Sequence, residues 1–200
     1  MRRAGRLRQL LVAGLLIPIG CASLPPGVGL GKGTPAPERV DARVWVDLIE
    51  IDDERATRQT SEALTLQLSR YIEERRYFRD VRVAPGNAKP EDLVLSIELD
   101  RYFAQRSVHP AYFPGAFLTL TLWIWFGGPI FTDSAEFTGV AEIRSPSGEL
   151  LASGKAELSD RHSVSFWSPN YAIPSATEER TSFFRELLDD AVSNLQKGIP

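Results

Sequence analysis

Alternating apolar and polar residues predict the strands of this chain. In the segment 42–51, Val44, Val46 and Leu48 recur at every second position, which is the period of a strand with one buried face. The same period returns at 81–83, 93–103, 135–144 and 150–158. Residues 145–149 read Ser-Pro-Ser-Gly-Glu, and this turn-forming composition predicts that the last two strands form a β-hairpin.

Two other segments have the period of an amphipathic helix. Between 57 and 76, Leu64, Leu68 and Ile72 recur every four residues and share one helical face. The second segment follows a capping-box sequence that runs from Ser175 to Glu178. Its apolar residues at helical spacing are Phe183, Phe184, Leu187, Leu188, Ala191 and Leu195.

Together these patterns predict an α+β fold. About five strands would form a mainly antiparallel sheet that two amphipathic helices cover on one face, with an apolar insertion between strands. This domain would span 40–198, a length that supports one hydrophobic core.

The apolar insertion occupies 111–131, inside a longer stretch, 107–132, that has no Asp, Glu, Lys or Arg. Three interpretations are open. Thr alternates with apolar residues from Phe117 to Trp125, which predicts a core strand. The segment could instead be an exposed apolar loop or hairpin that binds another protein or enters the membrane interface. A transmembrane span is the third, although Pro114 and Pro129 near the two ends and the pair Gly127-Gly128 leave fewer than the roughly 20 uninterrupted apolar residues required.

The exposed interpretation makes two groups of side chains candidates for partner or membrane contact. Aromatic residues dominate protein interfaces, and Trp favours the boundary between lipid and water. The candidates are Phe113, Phe117, Leu122, Trp123, Trp125, Phe126 and Phe131, together with Phe166, Trp167 and Tyr171.

The first 20 residues have the pattern of a signal peptide. Four arginines lie within residues 2–8 and precede the uncharged run 10–17. That run is too short to span a bilayer as a helix, but it has the length of a signal-peptide core. We therefore expect residues 1–20 to be cleaved.

The residues Pro18-Ile19-Gly20-Cys21 end this segment, and Cys21 is the only cysteine. They resemble the lipobox of bacterial lipoproteins with a type II signal peptide. The resemblance implies cleavage before Cys21, covalent lipid including palmitate on Cys21, and a membrane anchor in the cell envelope. Ala22 and Ser23 follow without an aspartate, which in that family resembles sorting to the outer membrane, facing the periplasm.

Residues 21–39 are rich in Pro and Gly and predict a flexible, lipidated tether. The chain has 23 basic and 26 acidic residues. Without the four signal-peptide arginines, 19 basic residues remain against 26 acidic, a formal charge of −7. This balance argues against nucleic acid as a partner.

The order of elements behind a lipobox resembles that of periplasmic lipoproteins of the TolB N-terminal, LpoB and CsgG type. This resemblance implies a domain that binds partners in an envelope protein complex, and it carries over no catalytic residue.

The residues themselves indicate no reaction. His109 and His162 are the only histidines and lie in no HExxH pattern, so we expect no metal site. The acidic run Asp52-Asp53-Glu54 is typical of a helix start. We therefore expect a non-enzymatic protein with no cofactor beyond the lipid, acting as an interaction or assembly module. The alternative is a lipid-binding or transport-accessory protein that uses 113–131 as a groove or membrane-contacting element. Homo-oligomerisation stays open.

Overall fold

A computed structural model describes residues 22–23, 30, 35–52, 56–84, 86, 88–119, 122–169, 171 and 176–198. The predicted signal peptide and Cys21 lie outside the described residues. So do Asp53 and Glu54 of the acidic run and Ser175 of the capping box.

The described strands belong to one sheet. Their bounds are β1 Ala22–Ser23, β2 Val40–Val46, β3 Glu50–Ile51, β4 Phe78–Val83, β5 Leu93–Val108, β6 Pro129–Arg144 and β7 Leu150–Ser165. The helices in the described residues are α1 Arg58–Arg75, α2 Tyr112–Leu118, α3 Leu122–Trp125 and α4 Ala176–Lys197.

The sheet is mixed, and the prediction of a mainly antiparallel sheet was wrong. The main strand order is β4-β2-β5-β6-β7, and β1 and β3 also pair with β5. The pairs β2–β4 and β2–β5 are parallel, whereas β5–β6 and β6–β7 are antiparallel. A parallel pair needs a long crossover connection, and α1 supplies one between β2 and β4. The predicted hairpin joins β6 and β7.

The two predicted amphipathic helices are present as α1 and α4. Thr57 caps α1 by accepting a hydrogen bond from the backbone N–H of Thr60. The apolar faces of both helices share one buried cluster with the inward-facing residues of β2, β5, β6 and β7. The sheet and both helices therefore have a common core.

Gly154 lets α4 approach β7 closely. A Cβ atom at this position would lie 2.4 Å from the backbone nitrogen of Ala191 and 2.6 Å from the carbonyl oxygen of Leu187. Both atoms belong to the helix backbone, so side-chain rotation cannot relieve the contact.

Parts of the predicted flexible tether lie on the domain instead of leading away from it. Ala22 and Ser23 form β1, which pairs with Arg106 and Gln105 of β5. The backbone N–H of Ala36 donates a hydrogen bond to the carbonyl oxygen of Arg75.

The apolar insertion folds as α2 and α3, so its interpretation as a core strand was wrong. The ladder between β5 and β6 continues as far as Val108 and Phe131, and the insertion loops out from the end of this ladder. Among the described residues, the insertion has no neighbouring strand with which its backbone can pair. Its backbone N–H and C=O groups therefore form hydrogen bonds within the segment, as they do in a helix. The pattern of alternation around Thr119 therefore gives way to helical turns.

Candidate functional site

The sheet topology brings both predicted contact segments to one end of the molecule. Val108 ends β5 opposite Phe131, close to the start of β6, and Pro129 begins β6 opposite Ser165, the last residue of β7. The insertion that joins β5 to β6 and the segment 166–171 that follows β7 consequently leave the sheet side by side.

Large apolar side chains of both segments are exposed at this end. Phe117 is 82% exposed and Phe126 is 83% exposed, and Trp125 follows at 68%. Such a concentration of exposed apolar area on a folded domain indicates an interaction site. We call this set the aromatic surface, and it comprises Phe113, Phe117, Leu118, Leu122, Trp125, Phe126, Phe166 and Trp167.

Ring contacts join the two segments into one surface. The ring centroids of Trp125 and Trp167 lie 6.0 Å apart, and Phe166 packs edge-on against Trp167 at 5.1 Å. Phe166 also contacts Tyr171 at 5.1 Å. Aromatic pairs at these distances stabilise one another beyond the area they bury, so the surface is preorganised across the gap in sequence.

Trp123 holds the insertion together. Its ring lies between the backbones of Gly115 and Gly128, where a Cβ atom would come within 2.5 and 2.3 Å of the ring, respectively. Its indole N–H donates to the carbonyl oxygen of Pro129 at 3.1 Å. The Thr119 hydroxyl oxygen accepts from the Trp123 backbone N–H at 2.8 Å, so Trp123 links α2, α3 and the start of β6.

A largely buried ion pair between β5 and β6 holds the chain that follows β7. Two guanidinium nitrogens of Arg106 donate to the two carboxylate oxygens of Asp133 at 2.6 and 2.7 Å. Another Arg106 N–H donates to the carbonyl oxygen of Tyr171 at 2.8 Å, and the guanidinium lies over the Phe131 ring. The hydrogen bonds to Asp133 raise the pKa of Arg106. Arg106 therefore fixes both segments to β5 and β6.

The predicted contact residues divide into two groups. Among the ten, the exposed ones are Phe113, Phe117, Leu122, Trp125, Phe126, Phe166 and Trp167, whereas Trp123, Phe131 and Tyr171 are half-buried. The half-buried group packs the surface from within. Leu118 is 78% exposed and was missed, although its place in the apolar stretch could have indicated it.

A cluster of three titratable residues, which the sequence did not predict, lies beside this end. Asp160 and His162 lie on β7, and Glu179 lies in the first turn of α4. One potential ligand atom of each lies within 4.8 Å of the others. Burial raises the pKa of the Glu179 carboxyl. Glu179 is far from Asp160 and His162 in the sequence, so no sequence pattern indicated that the three residues come together. His109 lies elsewhere, and its Nδ1 accepts from the backbone N–H of Ala111.

The short strand β1 reaches the same end. Ala22 pairs with Arg106, the residue that supports the aromatic surface. Ala22 directly follows Cys21 in the sequence, and Cys21 itself lies outside the described residues.

In the described part of the chain, we find no helix with the length and apolar character needed to cross a membrane. The interpretation of the insertion as a transmembrane helix therefore has no support in α2 or α3, which have 7 and 4 residues.

No protein-family model matches this chain, and no curated protein matches it. The fold has counterparts among solved structures. A Xanthomonas campestris protein of the family DUF330 matches with a TM-score of 0.50 and 13% identity, covering 82% of this chain and 93% of its own. At this identity the likeness shows a similar fold and nothing more.

Two further structures are more distant. A PelC dodecamer from Paraburkholderia phytofirmans has a TM-score of 0.45 and 13% identity, with 79% of this chain and 95% of that chain covered. An uncharacterised lipoprotein B from Nitrosomonas europaea has a TM-score of 0.33 and 15% identity, with 86% and 91% covered. TM-scores below 0.5 are too low to carry a structural argument. The comparison that remains shows that the chain is similar in fold to the Xanthomonas protein.

Proposed function

We propose that this protein is a non-catalytic envelope lipoprotein whose aromatic surface contacts the bilayer interface beside its own lipid anchor. The observation that carries the proposal is the position of β1, at the start of the predicted tether, which pairs with Arg106. The Arg106 side chain holds the Tyr171 carbonyl, and Tyr171 packs against Phe166 of the aromatic surface.

The chemistry of the surface suits the boundary between lipid and water. The insertion has no charged residue between 107 and 132, so its tip can enter a headgroup layer without desolvating a charge. Trp125 and Trp167 are of the residue type that concentrates at this depth. Burying a Phe or Leu side chain contributes about 1.5–3 kcal/mol, and several such side chains act together here.

The lipid on Cys21 and the aromatic surface would reinforce each other. The lipid that the lipobox resemblance implies carries several acyl chains and would suffice as an anchor by itself, so the aromatic surface would add orientation more than attachment. Attachment at two neighbouring points also restricts how the domain can turn. In this proposal the bilayer is the outer membrane, and the domain faces the periplasm.

The test separates the surface from the lipid. Protein that begins at residue 21 and carries Cys21→Ser has neither the predicted signal peptide nor an acyl chain, and its flotation with phosphatidylethanolamine–phosphatidylglycerol vesicles measures the surface alone. Adding Phe117→Ser, Trp125→Ser and Phe126→Ser should lower the partition coefficient by more than about tenfold, given the apolar area removed.

A matched control replaces three exposed apolar residues outside the aromatic surface, with Leu48→Ser, Leu66→Ser and Val83→Ser. This variant should bind vesicles as well as the Cys21→Ser parent. Equal binding by both triple variants, with circular dichroism showing that both are folded, would contradict the membrane role. Intact mass of the wild type from membranes should show lipid on Cys21, and an unmodified Met1 would contradict the anchor.

The second candidate is an interaction module of an envelope protein complex, and the edge-on contacts of Phe166 favour it. Rigid aromatic clusters are typical of the residues that dominate binding energy between proteins. A photo-crosslinking residue at Phe117 in native membranes would distinguish the candidates, because a protein partner gives a discrete adduct that the same label at Leu66 does not give. Labelling of lipid alone would favour the bilayer.

A further inference from the structure

A histidine and two carboxylates from different elements meet beside the aromatic surface. Asp160 and His162 are two residues apart on β7 and therefore lie on the same face of the strand. Glu179 reaches them from α4, and the three potential ligand atoms lie within 4.8 Å of one another. This juxtaposition depends on the packing of α4 against β7.

His162 has the surroundings of a metal-binding imidazole. Its Nδ1 lies 2.9 Å from an Asp160 carboxylate oxygen, and its Nε2 lies 3.8 Å from a carboxylate oxygen of Asp133. The Asp133 side chain is 6% exposed, and its bonds to Arg106 hold it in place. Histidines that bind metals commonly donate their second N–H to such a carboxylate, which fixes the tautomer and the ring orientation.

Glu179 supplies an independent indication of a ligand. Its Oε2 atom is buried and accepts no hydrogen bond from the residues that the structure describes. A buried carboxylate oxygen without a partner carries a desolvation penalty that a bound cation would offset.

We propose that Asp160, His162 and Glu179 form a zinc site. One imidazole and two carboxylates are a donor set that Zn²⁺ accepts, with ligand distances of about 2.0–2.2 Å. Tetrahedral ligand atoms then lie about 3.4 Å apart, so modest rotation of the side chains closes the site. Water completes the coordination, and a shift of less than about 1 Å would bring the Nε2–H of His162 within hydrogen-bond distance of the Asp133 carboxylate, which now lies 3.8 Å away.

Zinc here would connect β7 to the start of α4. Tyr171 is held by Arg106 through its carbonyl oxygen, and Glu179 would be held by the metal. The site would therefore stabilise the base of the aromatic surface, and it would not depend on whether that surface binds lipid or protein.

The experiment is calorimetric titration of tag-free Cys21→Ser protein with zinc chloride. We expect one equivalent to bind, and His162→Ala and Glu179→Gln to weaken binding by more than about tenfold. The matched controls are His109→Ala and Glu178→Gln, which replace the other histidine and the neighbouring exposed glutamate. Both controls should bind zinc like the parent.

Thermal unfolding gives a second readout. Zinc should raise the Tm of the parent and of both controls, because a ligand that binds only the folded state stabilises it, and it should leave the Tm of His162→Ala unchanged. Absence of zinc binding by the folded parent, or an equal loss in His109→Ala, would overturn the proposal. Neither result bears on vesicle binding by the aromatic surface.

Discussion

At the scale of single residues, Arg106 on β5 stabilises both β6, through Asp133, and the chain after β7, through the Tyr171 carbonyl. Its side chain is 13% exposed and pairs with Asp133, which is 6% exposed. Removing Arg106 leaves the buried Asp133 carboxylate without its two closest hydrogen-bond donors, although His162 Nε2 remains 3.8 Å away, so we expect a cost near the lower end of the range for buried pairs, about 3 kcal/mol. The contact to the Tyr171 carbonyl would be lost with it.

We therefore predict that Arg106→Leu lowers the free energy of unfolding by about 3 kcal/mol, measured by urea denaturation. Arg101→Leu is the control on the same strand. Arg101 pairs with Glu136 in an exposed ion pair, with side chains 67% and 51% exposed, and its loss should cost less than about 1 kcal/mol. Similar losses in both variants would show that burial of the Arg106 pair has no special effect.

Residue patterns indicated the composition of the aromatic surface but not the roles within it. The absence of charge between 107 and 132 singled out the insertion, and seven of the ten predicted side chains are exposed. The role of Trp123 could not be predicted, because it depends on Gly115 and Gly128 meeting on either side of its ring. The same holds for Glu179, whose neighbours His162 and Asp160 are distant in sequence.

At the scale of elements, the close approach of α4 to β7 at Gly154 makes the fold sensitive to added volume at that position. Gly154→Ala would place a methyl group against the α4 backbone at Ala191 and Leu187. Either α4 or β7 must shift, and we predict a loss of about 1–3 kcal/mol in the free energy of unfolding.

The control for this substitution is Gly86→Ala, where a Cβ atom would meet nothing within 4 Å. Urea denaturation of both variants measures the difference. An unchanged midpoint for Gly154→Ala would mean that α4 can move away from the sheet without losing its packing.

Periodicity predicted the elements that have a partner and failed for the insertion. Val44 and Val46 alternate because one face of β2 is buried, and Leu64 and Leu68 share the buried face of α1. Around Thr119, the same alternation occurs without a strand to pair with, and the chain forms short helices instead. Local pattern therefore identified elements correctly where tertiary packing agreed with it.

At the scale of the whole molecule, Tyr77 connects the two halves of the fold. It precedes β4 in the parallel half, and its hydroxyl donates to a carboxylate oxygen of Asp189 on α4, which packs on the antiparallel half. Burial, and then the hydrogen bond to Asp189, raises the pKa of Tyr77. Burial also raises the pKa of Tyr71 nearby.

This raised pKa predicts how stability depends on pH. The folded state keeps the Tyr77 proton, whereas the unfolded chain loses it near pH 10. The contribution is complete below about pH 10 and is lost as the pH rises above that value, by up to about 1.4 kcal/mol for each pH unit. Urea denaturation between pH 9 and 11 should show this decline, and Tyr77→Phe should decline less steeply. Identical slopes would contradict the role assigned to Tyr77.

The parallel half was the part of the topology that the sequence did not reveal. Order along the chain suggested neighbouring strands in antiparallel pairs, but β2 lies between β4 and β5 and runs parallel to both. Whether β4 runs parallel to β2 depends on the end of the sheet to which α1 returns the chain. The apolar spacing around Leu64 in α1 and Val81 in β4 indicates which face of each element is buried, but it does not specify that end.

The length of β6 sets a distance across the molecule. This strand runs from Pro129 at the aromatic surface to Arg144 at the β-hairpin turn, and 16 residues at about 3.3 Å each extend roughly 50 Å. If the aromatic surface sits at a bilayer, as we propose, and β6 points away from it, the turn at Ser147 would lie far from the membrane. In that arrangement the length of β6 would set the distance between the membrane and the polar turn, so that proteins not bound to the membrane could reach the turn.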